Sequence, residues 1–323
     1  MKLLLGAKRY LEELELKKKK EMEPEDHEEE NNFTVAEQKT LEMKLLVSVV
    51  LHPLDYAKNL IMMGYEPLPP YQSYWFGKPY YLYPNVLKYV RHIYSVDGVL
   101  GCFRGIVCKS SALVVQNTLI TYFDKKYPAP QIGDSLQSKL KRNIVVKCIC
   151  TLASHPLQMM AVRCMAQFVG RERLYSEWNP LANLLTILKL EGLAGLFKGF
   201  WAKLLGEVAL VTASVVIVHS IHRMIKSNSD SDNSEKSMVF VSTVVNFACV
   251  SYFYPYNVVS TTMSVNGAGL SIGQPPMSPI FANTHHCYTY LSYMNQLKRG
   301  SNLFYRWVPT VSRSDDILKL RSA

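Results

Sequence analysis

Five stretches of the chain stay apolar over roughly the 20 residues that a helix needs to cross a bilayer about 30 Å thick. They cover residues 41–63, 103–123, 143–168, 200–224 and 238–265. The fifth is the cleanest, with no charged residue from Met238 to Val265. The other four carry charge inside the apolar run: Asp55 and Lys58, Lys109, Lys147 and Arg163, and Lys203 and Glu207. A charge at the bilayer centre costs about 2.5–3.5 kcal/mol on insertion scales, so these side chains are expected to face a protein interior or an aqueous cavity. Shorter amphipathic segments near 84–95, 180–190 and 284–297 each run into a glycine turn. Two stretches look structurally independent of the spans: Tyr65 to Pro84, dense in Pro and Tyr, and Ser227 to Lys236, a linker without an apolar residue.

The pattern repeats. Pro53, Pro156 and Pro255 each stand late in an apolar helix, about 100 residues apart. Proline at such a position kinks the helix. Histidine precedes the first two, as His52 and His155, and Tyr254 precedes the third. Downstream of Pro53 the chain reads Asp97-Gly98-Val99-Leu100-Gly101-Cys102-Phe103-Arg104-Gly105. Downstream of Pro156 it reads Glu191-Gly192-Leu193-Ala194-Gly195-Leu196-Phe197-Lys198-Gly199, a residue-for-residue correspondence. The third copy, Arg299-Gly300-Ser301-Asn302-Leu303-Phe304-Tyr305-Arg306-Trp307, has lost the acid and the last glycine.

These motifs resemble those of the mitochondrial carrier family, whose repeat closes one helix with P-x-[DE]-x-x-[KR] and opens the next with [DE]-G-x-x-G and aromatic-[KR]-G. The resemblance covers about residues 41–310. It implies an all-α membrane protein, a three-repeat helical bundle with two spans and one short amphipathic helix per repeat around a central cavity. The expected organisation is a charged leader over 1–40, repeat one over 41–125, repeat two over 143–226, a polar linker over 227–237, an incomplete repeat three over 238–310 and a short polar tail over 311–323. Only fourteen residues follow Pro309, too few to span. Five full transmembrane helices are therefore expected, with the sixth missing or truncated, and an opening between residues 238–265 and 41–63.

Three further segments, Gly64 to Pro70, Gln167 to Glu172 and Gly273 to Ile280, are similar to those of the mitochondrial carrier homologs, the outer-membrane branch of that family. The longer charged leader departs from them. That resemblance implies residence in the mitochondrial outer membrane, insertion of α-helical, tail-anchored membrane proteins, phospholipid scrambling and docking of a pro-apoptotic partner. Membrane lipids and helical clients are the partners it implies.

A carrier closes one end of its cavity with a ring of acids and bases placed two and five residues after the three prolines. Only the first repeat keeps both, as Asp55 and Lys58; the second has Gln158 and Ala161, the third Asn257 and Ser260. One acid and one base cannot make a ring, and Asp55 and Lys58 are expected to pair with each other at i,i+3. What survives is polar. Ser48, His52, Asp55 and Asn59 share one helix face, as do Thr151, His155, Gln158 and Val162, and Val250, Tyr254, Asn257 and Thr261. Lys109, Gln116, Arg163, Lys203, Glu207 and Asn246 extend the candidate groove. Polar groups at membrane depth are tolerated where they line a cavity. The alternatives are interhelical hydrogen bonding without transport, a divergent solute carrier, and a receptor or scaffold docking through its leader, Pro/Tyr loop and linker.

Composition agrees: 48% apolar and 19% charged residues suit a chain whose polar surface is reduced by lipid contact. Of the net charge of +10, the first 44 residues contribute 9 Lys/Arg against 12 Asp/Glu, leaving about +13 for the remainder. No nucleic-acid motif accompanies that excess, so nucleic acid is not an expected partner, and loops facing anionic headgroups or a positive-inside bias account for it. The leader matches neither a secretory signal nor a matrix presequence, its Leu3-Leu4-Leu5 run being short and Glu12, Glu13 and Glu15 acidic. The seven cysteines lack C-x-x-C spacing and read as packing residues. His219, His222, His285, His286 and Cys287 have no carboxylate at ligand spacing, so no metal, cofactor or enzymatic role is expected.

Overall fold

The computed structural model describes residues 38–75, 78–128, 135–228 and 233–308. Nearly all of the leader, the middle of the linker and the whole 311–323 tail lie outside the described residues. The chain divides into two units at Ser48. Helix α1 (Gln38–Val50) carries the boundary, and everything below concerns the unit that begins at Val49.

Two of the three repeat prolines, Pro53 and Pro255, mark helix breaks. Helix α1 stops at Leu51 and α2 (His52–Met63) begins with Pro53 in its first turn, where a missing N–H costs nothing. Helix α2 ends at Gly64, whose φ of +94° is the left-handed stop that glycine supplies freely. The order continues through β1 (Tyr71–Trp75), β2 (Lys78–Tyr83), α3 (Val86–Gly101), α4 (Ile106–Lys126), α5 (Leu136–Gly170), α6 (Pro180–Leu196), α7 (Phe200–Asn228), α8 (Asn233–Tyr252), α9 (Tyr254–Val265), α10 (Thr284–Tyr293) and β3 (Arg306–Trp307). Among the described residues, α5 and the 200–224 part of α7 are each long and apolar enough to cross a membrane. Helices α8 and α9 make one span bent by 48° just before Pro255, whereas Pro156 is absorbed inside a continuous α5. Helix α3 lies turned by 79° from α4, which makes it the connecting helix of repeat one rather than part of a span.

The Pro/Tyr segment is not irregular, as its composition suggested. Its Tyr-rich halves pair as an antiparallel hairpin, Tyr71 opposite Leu82 and Ser73 opposite Tyr80, the pleat suiting aromatic side chains. Strand β3 joins it through Leu82–Trp307 and Tyr83–Arg306. The chain is thus mostly helical with one small sheet.

The core sits in the second halves of the first, third and fifth spans. Tyr56 and Leu60 of α2 pack with Met159, Met165 and Phe168 of α5, under Tyr89 and Ile93 of α3 and Ile187 of α6. Met62 joins Tyr254, Val258, Val259 and Leu291 in a second cluster. Phe240, Phe247 and Tyr252 in the first half of the fifth span are more than 70% exposed, as a lipid-facing surface requires.

The seam expected to be open is closed over these second halves. Lys58 Nζ lies 5.4 Å above the Tyr254 ring, and the Thr262 hydroxyl, which donates to the Val258 carbonyl at 2.9 Å, lies 3.4 Å from the Met62 carbonyl oxygen. Phe281, Cys287 and Leu291 pack against the same cluster, so the third repeat's own connecting segment fills space beside α2 and α9.

Equivalent glycines explain how the second span of each repeat starts. Gly105 and Gly199 both have φ near +80°. A Cβ would stand 2.8 Å from the Ala161 carbonyl oxygen in the first case and 2.4 Å from that of Ser260 in the second. Each glycine therefore lets one repeat's even-numbered span begin in backbone contact with the next repeat's odd-numbered one. At the third equivalent position stands Trp307, too large for such an approach, and there the chain is a strand.

Candidate functional site

The three post-proline faces converge on one cavity of about 370 Å³. Asp55 and Asn59 line it from α2, His155, Gln158 and Val162 from α5, and Tyr254, Asn257 and Thr261 from α9. Lys109 and Gln116 of α4 and Lys203 of α7 complete the polar wall. The charged lining is Asp55 against Lys58, Lys109 and Lys203, a local balance of +2.

Pairing follows the spans rather than the sequence. Asp55 accepts from Lys109 Nζ at 2.5 Å and does not pair with Lys58, correcting the i,i+3 expectation. Three residues of helix rotate the side chain by about 60° around the axis, which suffices to aim Asp55 at the second span and Lys58 at the Tyr254 ring of the fifth. Lys203 donates to Asn257 Oδ1 at 2.8 Å and lies 3.3 Å from Glu207, whose other oxygen is 2.9 Å from Lys147. Asp55–Lys109 and Lys147–Glu207 tie neighbouring spans, whereas Lys203–Glu207 lies within one helix. Among the described residues no ion pair joins two of the first, third and fifth spans, so the closed end is held by the apolar clusters, by Lys58 over the Tyr254 ring and by hydrogen bonds such as that from Arg163 to the Ser264 carbonyl.

Several expected groove residues do other work. His52 is fully buried, its Nε2 3.0 Å from the Arg104 carbonyl and its ring stacked on Phe103. His155 repeats this with the Lys198 carbonyl at 3.1 Å and Phe197, while one edge still meets the cavity. The His-Pro pairs therefore pin the motif that opens the next span. Thr151 is buried outside the cavity lining, Glu207 lies behind Lys203, and Asn246 is exposed on α8. Ser48 belongs to the other unit.

Arg163 departs furthest from expectation. It is fully buried and forks onto Glu191, with Nη1 at 2.6 Å and Nη2 at 3.0 Å, while Nε donates to the Ser264 carbonyl at 2.9 Å and Nη1 to the Tyr175 hydroxyl at 3.1 Å. A buried guanidinium needs such partners because an unpaired charge in low dielectric is prohibitive. Arg163 is thus a clamp between repeats two and three, not a groove residue. Glu191 also takes Lys198 at 2.7 Å, the counterpart of Asp97–Arg104 at 3.1 Å in repeat one. Burial pushes the Glu191 carboxyl up, but Arg163 and Lys198 outweigh it and hold it below its ordinary 4.5. Its stabilising contribution is therefore complete above pH 4.5 and is lost as pH falls through the lowered value. Thermal melts between pH 7 and 3 should show a fall below pH 4.5 that is smaller in Glu191→Gln; parallel profiles would overturn this.

Sequence reasoning left Lys147 out of the groove set, although it stands in the third span. Its signal was being an unexplained charge in an apolar run. Its partner, sixty residues on, was not readable. All seven cysteines are free thiols, six of them buried.

A family model for the mitochondrial carrier protein matches residues 139–229. Mitochondrial carrier homolog 1 of Mus musculus is 33% identical over 299 residues, covering 82% of this chain and 75% of that protein. The chain belongs to the mitochondrial carrier homolog family. Mitochondrial carrier homolog 2 is 31% identical in Mus musculus and 30% in Homo sapiens, each alignment spanning 81% of this chain and 91% of the relative. Membership makes this a multi-pass helical membrane protein, and the segments 64–70, 167–172 and 273–280 lie at or beyond the ends of α2, α5 and α9. Within this carrier homolog Glu172 accepts from the Ser271 N–H at 2.7 Å and hydroxyl at 2.6 Å, Gln167 accepts from the Tyr175 N–H at 2.6 Å, and Glu66 pairs with Arg306.

Proposed function

We propose that this carrier homolog assists insertion of α-helical, tail-anchored proteins into the mitochondrial outer membrane by offering their hydrophilic flanks the polar cavity between its spans. The supporting observation is the ionic pattern of that cavity. Asp55–Lys109 and Lys147–Glu207 pair neighbouring spans, Lys203–Glu207 pairs within one, none of the described ion pairs joins two of the odd-numbered spans, and Asp55 keeps 44% of its side chain exposed. A polar flank meeting Asp55, Lys109 and Lys203 is spared part of the roughly 2.5–3.5 kcal/mol that a charge costs at the bilayer centre. Lipid headgroups would be eased across by the same surface, so scrambling accompanies insertion in this reading.

The test is reconstitution of the full chain in liposomes with a tail-anchored client. Insertion should exceed that of empty liposomes, and Lys109→Met with Lys203→Met should reduce it by about tenfold, equivalent to roughly 1.4 kcal/mol of barrier. No gain over empty liposomes, or an undiminished rate in the double variant, overturns the proposal. Saturable exchange of a small anion by the same liposomes would favour the second reading, a divergent solute carrier, for which the cavity's size and cationic lining speak. Protease protection of cell fractions decides between outer- and inner-membrane residence.

A further inference from the structure

In repeats one and two the motif glycine is preceded by an acid, and a base follows seven residues after that acid: Asp97 and Arg104, Glu191 and Lys198. The third repeat puts Arg299 and Arg306 at these positions, two cations in place of an ion pair. Arg306 has found a substitute acid in Glu66 and also donates to the Pro84 carbonyl at 3.0 Å. Arg299 has not. Its Nη1 donates to Gln296 Oε1 at 3.1 Å and its Nη2 to the Thr262 hydroxyl at 3.1 Å, both neutral, and its buried Nε meets no acceptor. Among the described residues no carboxylate forms an ion pair with it. Burial pulls its pKa down to about 10, so the guanidinium is charged at neutral pH, with the Arg306-paired Glu66 acting on it only from beyond ion-pair distance.

Both arginines line a second cavity, of about 570 Å³, at the ends of α2 and α9 and apart from the polar cavity between the spans. Its charged lining is Glu66 against Lys298, Arg299 and Arg306, a balance of +2. Gly64 makes the room, since a Cβ there would come within 2.5 Å of Arg299 Nη1. A forked guanidinium with a free N–H direction matches phosphate oxygens in a way a point charge does not. The volume falls within the range of small-molecule sites and exceeds what a bare ion needs.

We infer that the Arg299 cavity is an anion site that takes a phosphate ester, either the headgroup of an anionic lipid or a soluble organic phosphate. The charge inversion of the third repeat is then a binding feature.

The test uses the purified full chain in detergent, with pyrophosphate, glycerol phosphate and dihexanoyl phosphatidic acid as probes and dihexanoyl phosphatidylcholine as control. Binding is read by titration calorimetry and by the rise in melting temperature that a native-state ligand imposes. A response to the two soluble probes identifies a soluble phosphate; a response to phosphatidic acid alone identifies a lipid headgroup. In either case Arg299→Gln should weaken binding at least tenfold, Arg299→Lys should restore part of it, and Lys298→Gln should cause a smaller loss. Arg299→Asp, which recreates the acid of the other repeats, should abolish binding. Where Arg299→Gln fails to fold, Lys298→Gln and Arg299→Lys carry the comparison. No binding of any phosphate probe to the wild type, binding equal to that of the phosphatidylcholine control, or affinity unchanged in the folded variants overturns the inference.

Discussion

Replacing Arg163 by alanine is expected to destabilise the solubilised protein by about 3–5 kcal/mol, the usual cost of stripping one partner from a buried ion pair. The fork onto Glu191, the Ser264 carbonyl and the Tyr175 hydroxyl would all lose their donor at once. Arg163→Lys should fall between wild type and alanine, because an ammonium restores charge but not the fork. Changing both Arg163 and Glu191 to methionine should recover part of the loss, since a buried pair exchanged for apolar groups is often neutral. Thermal unfolding of the four proteins is the measurement. An alanine variant melting with the wild type would show that Glu191 is held by Lys198 alone.

The second large effect concerns Gly199. Alanine there would meet the Ser260 carbonyl oxygen at 2.4 Å and the Ser264 hydroxyl at 3.1 Å, on a backbone with φ of +79°. Left-handed strain of about 1–2 kcal/mol and overpacking of about 1–3 kcal/mol give an expected cost of roughly 2–5 kcal/mol. Gly98 is the internal control. Nothing lies within 4 Å of the added Cβ, so Gly98→Ala should cost only the strain of its own backbone, φ +70° and ψ −166°, about 1–3 kcal/mol. Equal losses at the two positions would remove the argument that close backbone approach, rather than conformation, selects glycine at Gly199.

Both effects arise at the joints between repeats, where the sequence was read best and worst. The glycine-acid-base motif placed Gly98, Gly105, Gly192 and Gly199 at structurally equivalent turns, because a positive φ is a local demand that residue type alone reveals. The same reading put Arg163 in the groove, because helical periodicity shows which residues share a face but not which neighbour that face meets. The pairing of Asp55 was misjudged for a related reason. Sequence spacing made Lys58 its nearest base, and only the approach of α4 brought Lys109 to 2.5 Å.

The hairpin and the closed end show where local rules ran out. Pro and Tyr density between 65 and 84 suggested an irregular loop, yet β1 and β2 gain their third strand from residues more than 220 positions later. One acid and one base cannot make an ionic gate, and that left the end of the cavity unassigned. Met62, Met165, Tyr254 and Val258 hold it apolar, a role that none of these residue types advertises.

From its sequence alone, this chain determines the spans, two of its three proline breaks, the threefold repeat and the polar faces at post-proline positions, since each depends on local hydrophobicity, backbone freedom or helical period. The tertiary structure alone decides that Asp55 pairs with Lys109, that Glu207 joins Lys147 to Lys203, that Arg163 clamps two repeats together and that Arg299 faces a cavity with no ion-pair partner among the described residues. Apart from Lys203–Glu207, these are contacts across 28 to 101 residues of chain, or the failure of one. In low dielectric a charge is stable only beside its partner, and which partner arrives depends on how helices pack rather than on how residues follow one another.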